Sequence, residues 1–470
     1  MKTRTVSSII FSILIISNLF AQRNNNYKDI AGSAFLENSS YKLLERICDE
    51  AGGRFLGTPQ NERAIEILKS ELEKIGCAVK LEKFKVPGWV RGNDEVIMQI
   101  PAPLKLQAVA LGYVNATPTF TAGVVYASYG FDEDYQNINA EDKIVLVTQE
   151  PPKSKEQILR YEAIDIAVKH KAKAILFINE YAGTINMAGV GNFKGTPTKI
   201  PAYSLTYEEG KRIQRLIERN IPVNVEITTK SFCKDVEPEN VVVTFKGKVD
   251  GKIVVGAHID SWDIAPGAID NGVGSAILFD VARLLKKYNP DNYYTVELVW
   301  FNGEEIGLWG STKYAEMHRN DKIIAMINMD MTGSPTGFNV MGFDEYKPFF
   351  ENLIQSLNGF NLSDGVVSRP YTNSDHMPFM FEGIPTFTLQ DHLDENMYKF
   401  YHDRGDSFDK VNKKYLSEAA AVVSIMVTGL SNDMNVYYTK KNEKEMVDLF
   451  KKFGLDKRLK RRGEWKYKIE

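Results

Sequence analysis

The sequence predicts an α/β protein: a phosphorylase/hydrolase-like sheet of mostly parallel strands, with helices on both faces and a β-rich insertion. Two observations predict it. From about Asn240, strand-like and helix-like patterns alternate, as they do when helices cover a largely parallel sheet. The acids and histidines of that block also fall just beyond its strands, where such sheets hold ligands.

The chain opens with Lys2 and Arg4, followed by SSIIFSILIISNLF. An apolar run of about a dozen residues is too short to span a bilayer and suits a secretory leader. Residues 1–21 are therefore expected to be a signal peptide, cleaved near Ala21. The mature protein is expected to be secreted or periplasmic, without a membrane span. Residues 22–118 are expected to form the first part of a discontinuous main domain. Within it, 60–76 reads as an amphipathic helix, with Ala64, Ile65, Ile67, Leu68, Leu72 and Ile75 on one face and Gly76 as its cap. AVKLEKFKV then alternates like a strand.

The texture changes over 119–233. AGVVYASY, KIVLVTQ, KAILFIN and PVNVEITT read as short strands, separated by two helical patterns and the glycine-rich loop YAGTINMAGVGNFKGTPTK. This stretch reads as an inserted domain. The main domain is expected to resume over 234–435 with strand-like VVVTFKG, KIVVGAH, TVELVWF, IIAMINMDM and IPTFTLQD, interleaved with helical patterns and closed by a helix over KKYLSEAAAVVSIMVTGLSND. Residues 436–470 hold 12 Lys and Arg against 6 Asp and Glu, and read as a basic, solvated helical tail.

With 43% hydrophobic residues over 470 positions, the chain can bury a sizeable core in two or more domains. A net charge of -3 argues against a nucleic-acid binder. The three cysteines, Cys48, Cys77 and Cys233, allow one disulfide at most, and their spacing is not that of a metal site.

The chemistry lies at the strand ends. His258 follows KIVVGA, Glu304 and Glu305 follow TVELVWFNG, and Asp330 follows IIAMINM. Asp270 sits in a glycine-flanked turn, and His402 a dozen residues beyond PTFTLQD. Histidine nitrogens and carboxylate oxygens are ligands of borderline divalent metals, zinc above all. Two histidines and three carboxylates exceed what one catalytic zinc takes. They suit two ions about 3.5–4 Å apart that share a carboxylate. Asp270 is the natural bridge, with His258 and Asp330 completing one ion and Glu305 and His402 the other. Glu304, adjacent to a ligand, can face the bridging water as general base. In H-x-D at a strand end, Asp260 can accept from the second ring N–H of His258.

Taken singly, each of these residues has an ordinary reading as a strand-end histidine, a turn aspartate or a solvated glutamate. The metal reading rests on their recurrence at five strand ends of one block. Among the other histidines, His376 reads as a neighbour of the site or a substrate-side residue. His318 reads as a helix cap and His170 as solvated. His392 competes with His402, which is favoured by the neighbouring Asp403, Arg404 and Asp406.

HIDSWD, AIDNG, NGEEIGLWGS, NMDM and YHDRGDS together resemble the dizinc exopeptidases related to aminopeptidases S and Y, peptidase family M28. HIDSWD and VPGWVRGNDEV are most similar to a carboxypeptidase branch of that family. The resemblance runs from GGRFLGTP at 52–59 to the closing helix. It implies a protease-associated (PA) domain as the insertion and two Zn2+ per chain. It implies His258, Asp270, Glu305, Asp330 and His402 as ligands and Glu304 as general base. It also implies a cis peptide at Asp270–Asn271. The expected reaction is hydrolysis of dipeptides or short peptides. An aminopeptidase with the same metal set stays open, because the ligands do not encode which terminus is read. A one-zinc glutaminyl cyclase and a non-catalytic binding ectodomain are disfavoured by the complete ligand set. A peptide substrate is the expected partner, and a homodimer is compatible with the sequence.

Overall fold

The computed structural model describes residues 26–436 and 438–468, with residues 395 and 396 as backbone only. The expected leader over 1–21 lies outside the described residues. Eight strands form the larger sheet, in the order Val79–Lys83, Glu239–Phe245, Thr295–Phe301, Lys252–His258, Ile323–Asn328, Thr386–His392, Ser334–Asn339 and Gly365–Val367. The middle four run parallel, and the neighbour on either side of them runs antiparallel.

The unbroken apolar runs of these strands are explained by cover on both faces. Successive residues of a strand point to opposite sides. On Thr295–Phe301, Val296, Leu298 and Trp300 enter the main core, beneath the helices Val273–Tyr288 and Lys413–Asn432. Val299 and Phe301 enter a smaller core on the other face, with Tyr314 of the helix Trp309–Met317. Gly256 is required here, since a Cβ at that position would lie 2.3 Å from the Phe301 ring.

Register sets where the site forms. His258 lies opposite Phe301, and Gly256 lies opposite Asn328. The carboxyl ends of the three strands are therefore level, and the loops that leave them meet along one edge.

The predicted helix over 60–76 spans Pro59–Lys74, with Thr58 capping the Asn61 N–H and Pro59 in the first turn. Ala64, Ile65, Ile67, Leu68 and Leu72 are buried as expected. A second eight-stranded sheet gathers strands between Glu95 and Thr229, with the helices Arg160–Lys169 and Tyr207–Glu218. Its extent corrects the boundary expected at 119. Glu95–Ile100 pairs with Asn224–Thr229, and Ala108–Ala110 pairs with Ala202–Leu205. Sheet membership is decided by these distant hydrogen-bonded partners, which local texture does not carry. The chain leaves and re-enters the larger sheet through an antiparallel ribbon, Val86–Val90 with Phe232–Val236.

The tail is helical, but it is not solvated throughout. It forms the helices Glu443–Lys452 and Leu455–Arg462, and Met446, Val447, Leu449, Phe450 and Leu459 are buried. Apolar residues at helical spacing inside the basic stretch give it a face that packs. Arg461 reaches the second sheet's helix, pairing with Glu162 at 2.5 Å and Glu156 at 3.0 Å. Among the described residues, no helix is long and apolar enough to cross a membrane.

Candidate metal centre

Each predicted residue leaves the larger sheet along the shared edge. His258 ends its strand, Glu304 and Glu305 follow Thr295–Phe301, and Asp330 follows Ile323–Asn328. His402 lies in the loop beyond Thr386–His392, with φ 55°. Asp270 occupies the turn before the helix Val273–Tyr288. Gly267 begins that turn at φ 58°, and a Cβ there would lie 2.3 Å from the Ser261 Cβ, so the sharp bend needs glycine.

The turn is held by groups distant in sequence. The Asp406 carboxylate accepts the N–H groups of Ile269 at 2.7 Å and Asp270 at 3.0 Å. Arg54 is wholly buried and donates to the carbonyls of Ile259 at 2.5 Å, Gly267 at 2.9 Å and Pro266. The Asp270–Asn271 peptide is cis. The Asn271 amide donates to the Met329 carbonyl at 2.8 Å and accepts from the Met331 N–H at 3.2 Å, tying the turn to the loop that carries Asp330.

The side chains converge in two groups of three that share Asp270. His258, Asp270 and Asp330 form one group, and Asp270, Glu305 and His402 form the other. His258 Nε2 lies 3.2 Å from Asp270 Oδ1 and 3.4 Å from Asp330 Oδ1. His402 Nε2 lies 3.1 Å from Asp270 Oδ2 and 2.8 Å from Glu305 Oε2. Ligand atoms about 2.0–2.2 Å from a tetrahedral ion stand roughly 3.3 Å apart, so this spacing fits zinc. Despite these separations, His258 Nε2, Asp330 Oδ1 and both Glu305 oxygens are buried without a hydrogen-bond partner. Donor atoms gathered this closely yet left unbonded are what an unfilled set of metal ligands would show. Buried polar atoms left in that state are costly, and a cation would satisfy them.

The charges agree. Burial alone would depress the His258 imidazole, but the carboxylates of Asp260, Asp270 and Asp330 outweigh it and raise its pKa well above 6.5. His402 rises to about 9 against the same burial, through Glu305 and Asp270. Burial and the repulsion of Asp270 push Glu305 up to about 7. A divalent cation would relieve this crowd of carboxylates and leave both rings neutral as ligands.

Glu304 belongs to neither group. Its carboxylate lies 4.0 Å from His258 Nε2, and burial drives its pKa well above 4.5. Asp260 plays a wider part than expected. Its carbonyl, rather than its carboxylate, is nearer His258 Nδ1, at 3.1 Å against 3.6 Å. The carboxylate instead accepts the N–H groups of Glu304 at 3.1 Å and Glu305 at 3.3 Å, setting both glutamates. His376, expected as a neighbour of the site or a substrate-side residue, is fully buried, with Nε2 donating to the Tyr371 carbonyl at 2.8 Å. Burial lowers its pKa to about 4, so the ring is neutral. His392 and His318 stand outside both groups. His318 caps its helix as expected, with its ring between Glu82 and Asp321.

Sequence reasoning missed several supports. Ser374 donates to Asp330 at 2.6 Å, Tyr401 stacks on His402 at 3.7 Å, and Trp262 meets that ring edge-on. Arg91 grips both oxygens of Asp263, at 2.7 and 2.9 Å. Arg54 had only the glycines beside it as a signal. The burial of Asp375 had none.

Residues 240–427 match the family model for peptidase family M28, and this span holds all six residues of the centre. The chain is an enzyme related to the M28 peptidases. Among individual proteins, it is similar to carboxypeptidase Q of Mus musculus, 26% identical over 428 residues, covering 85% of this chain and 89% of the relative. It is also similar to the aminopeptidase YwaD of Bacillus subtilis, 24% identical and covering 84% of each. The fold is shared with an M28 peptidase precursor from Shewanella amazonensis, with TM-score 0.78 at 22% identity, covering 89% of this chain and 99% of that one. A zinc aminopeptidase from Bacillus subtilis gives TM-score 0.69 at 22% identity, covering 86% and 98%.

Proposed function

We propose that this chain is an exported, dinuclear zinc exopeptidase that hydrolyses dipeptides or short peptides in the manner of carboxypeptidase Q. The single observation carrying this reading is the pair of ligand groups that share Asp270. His258, Asp270 and Asp330 would hold one zinc, and Asp270, Glu305 and His402 the other. When bound, the two ions supply Lewis acidity to the scissile carbonyl and to the attacking water. The Glu304 carboxylate takes the proton of that water and delivers it to the leaving amine. Asp260 keeps Glu304 and Glu305 aimed differently by holding both backbone N–H groups. Asp406 and Arg54 fix the turn that presents Asp270. The second sheet is read as a protease-associated domain, with its boundary moved to about residue 95.

The test is a dipeptide panel with free and blocked termini, run with and without chelator, alongside zinc analysis of the pure chain. The reading expects chelator-sensitive cleavage that needs a free C-terminus, and two zinc per chain. Release of N-terminal residues from longer peptides, without dipeptidase activity, would favour the aminopeptidase. One zinc per chain would revive the cyclase.

A further inference from the structure

A cavity of about 220 Å³ opens directly beside Asp330. It is room for one side chain rather than a drug-sized ligand. Its lining includes Arg369, Tyr371, Gln390, Asp391 and Thr332, and Leu389 is its one aliphatic member. Such a wall disfavours an apolar guest, whose burial would leave these polar groups without water.

Arg369 is the one cationic residue of the lining. Its backbone is pinned on both sides by one side chain: its N–H donates to Asn339 Oδ1 at 2.9 Å, and Asn339 Nδ2 donates to its carbonyl at 3.0 Å. Pro370 follows and restricts the chain further. Arg369 is exposed at the cavity mouth, and its guanidinium makes no hydrogen bond or ion pair with the described residues, so its donors face solvent. A main chain held in place thus carries a fork of unused donors, the group best matched to a carboxylate. The two acids of the cavity are engaged elsewhere. Asp330 accepts from Ser374 and belongs to the proposed metal set, and Asp391 accepts the Gly333 N–H.

We propose that this cavity is a substrate subsite in which Arg369 binds a carboxylate of the peptide. It rests on the peptidase reading above. The carboxylate can be an acidic side chain or the free C-terminus, and the chemistry is the same for both.

The experiment measures kcat/KM for wild type and Arg369→Gln on three matched sets of dipeptides. One set compares Glu with Gln at each position, one compares free with amidated C-termini, and one compares Lys with Gln. A hydrogen-bonded charge pair predicts a roughly 10- to 100-fold preference for the carboxylate form in at least one of the first two sets. Arg369→Gln removes that preference and leaves turnover of the neutral partner nearly unchanged, while Arg369→Lys keeps part of it. The set that responds identifies the source of the carboxylate. A preference that survives Arg369→Gln, or a preference for Lys held by Asp391, overturns the subsite alone; turnover without either preference overturns the subsite and the carboxypeptidase specificity, and leaves the metallopeptidase reading standing. No turnover of any peptide by the metal-loaded wild type overturns the peptidase reading with it.

Discussion

Glu304→Gln is the perturbation that separates chemistry from metal binding. The Glu304 side chain is 13% exposed, and its backbone N–H is fixed by Asp260 Oδ1 at 3.1 Å. Glutamine has the same shape and is set by the same backbone contact, but its amide cannot accept the proton of the attacking water. General-base catalysis typically contributes 10²–10⁴-fold, so kcat should fall by about that factor, or roughly 2.7–5.5 kcal/mol of barrier. Zinc content should be unchanged, because Glu304 belongs to neither ligand group. Glu305→Gln should behave oppositely: it removes one of three groups from the second set, and zinc should be lost. The assay pairs steady-state kinetics on a dipeptide with elemental zinc analysis of both variants. If Glu304→Gln lost zinc while Glu305→Gln kept it, the two glutamates would be reversed. If Glu304→Gln kept more than about a tenth of its turnover, the general-base role would be refuted.

Arg54→Met removes the side-chain donor from three carbonyls: Ile259 and Pro266 lose the partner that holds them, and Gly267 keeps only the Gly272 N–H. It should cost about 3–5 kcal/mol, read as a lower denaturant midpoint; a change under about 1 kcal/mol would show that the clamp is idle. Asp406→Asn replaces one of the two acceptors that hold the Ile269 and Asp270 N–H groups with a donor. Zinc affinity should fall roughly tenfold or more in a chelator competition, as for other groups that orient ligands; unchanged affinity would remove Asp406 from that role. His318 lies between Glu82 and Asp321, and its hydrogen bond to Glu82, ahead of the opposing effect of burial, raises its pKa above 6.5. Its stabilisation is therefore complete below 6.5 and fades as pH rises through the folded value, while that of Glu82, lowered from 4.5, fades as pH falls through its own. The stability difference between wild type and His318→Gln should be largest between those two ordinary values and should shrink above neutrality. A difference that grew with pH would contradict the pairing.

The sequence by itself pointed to most of the elements and to the acids and histidines that gather at the sheet edge. Nearly unbroken apolar runs such as TVELVWF can be buried only inside a sheet covered on both faces, and helical spacing over 60–76 marked the helix that spans Pro59–Lys74. His258, Asp270, Glu304, Glu305, Asp330 and His402 were legible because an α/β sheet delivers functional groups beyond its strand ends, and strand ends are local features. The tertiary structure alone decided what depends on distant partners. Glu95–Ile100 joined the second sheet through Asn224–Thr229, and the tail found a buried face despite its charge. Asp260 was drawn from the imidazole to two backbone N–H groups more than forty residues away. Arg54, Asp406 and the cavity at Arg369 could not be seen locally, since what each does is fixed by carbonyls, N–H groups and empty space that folding brings to it.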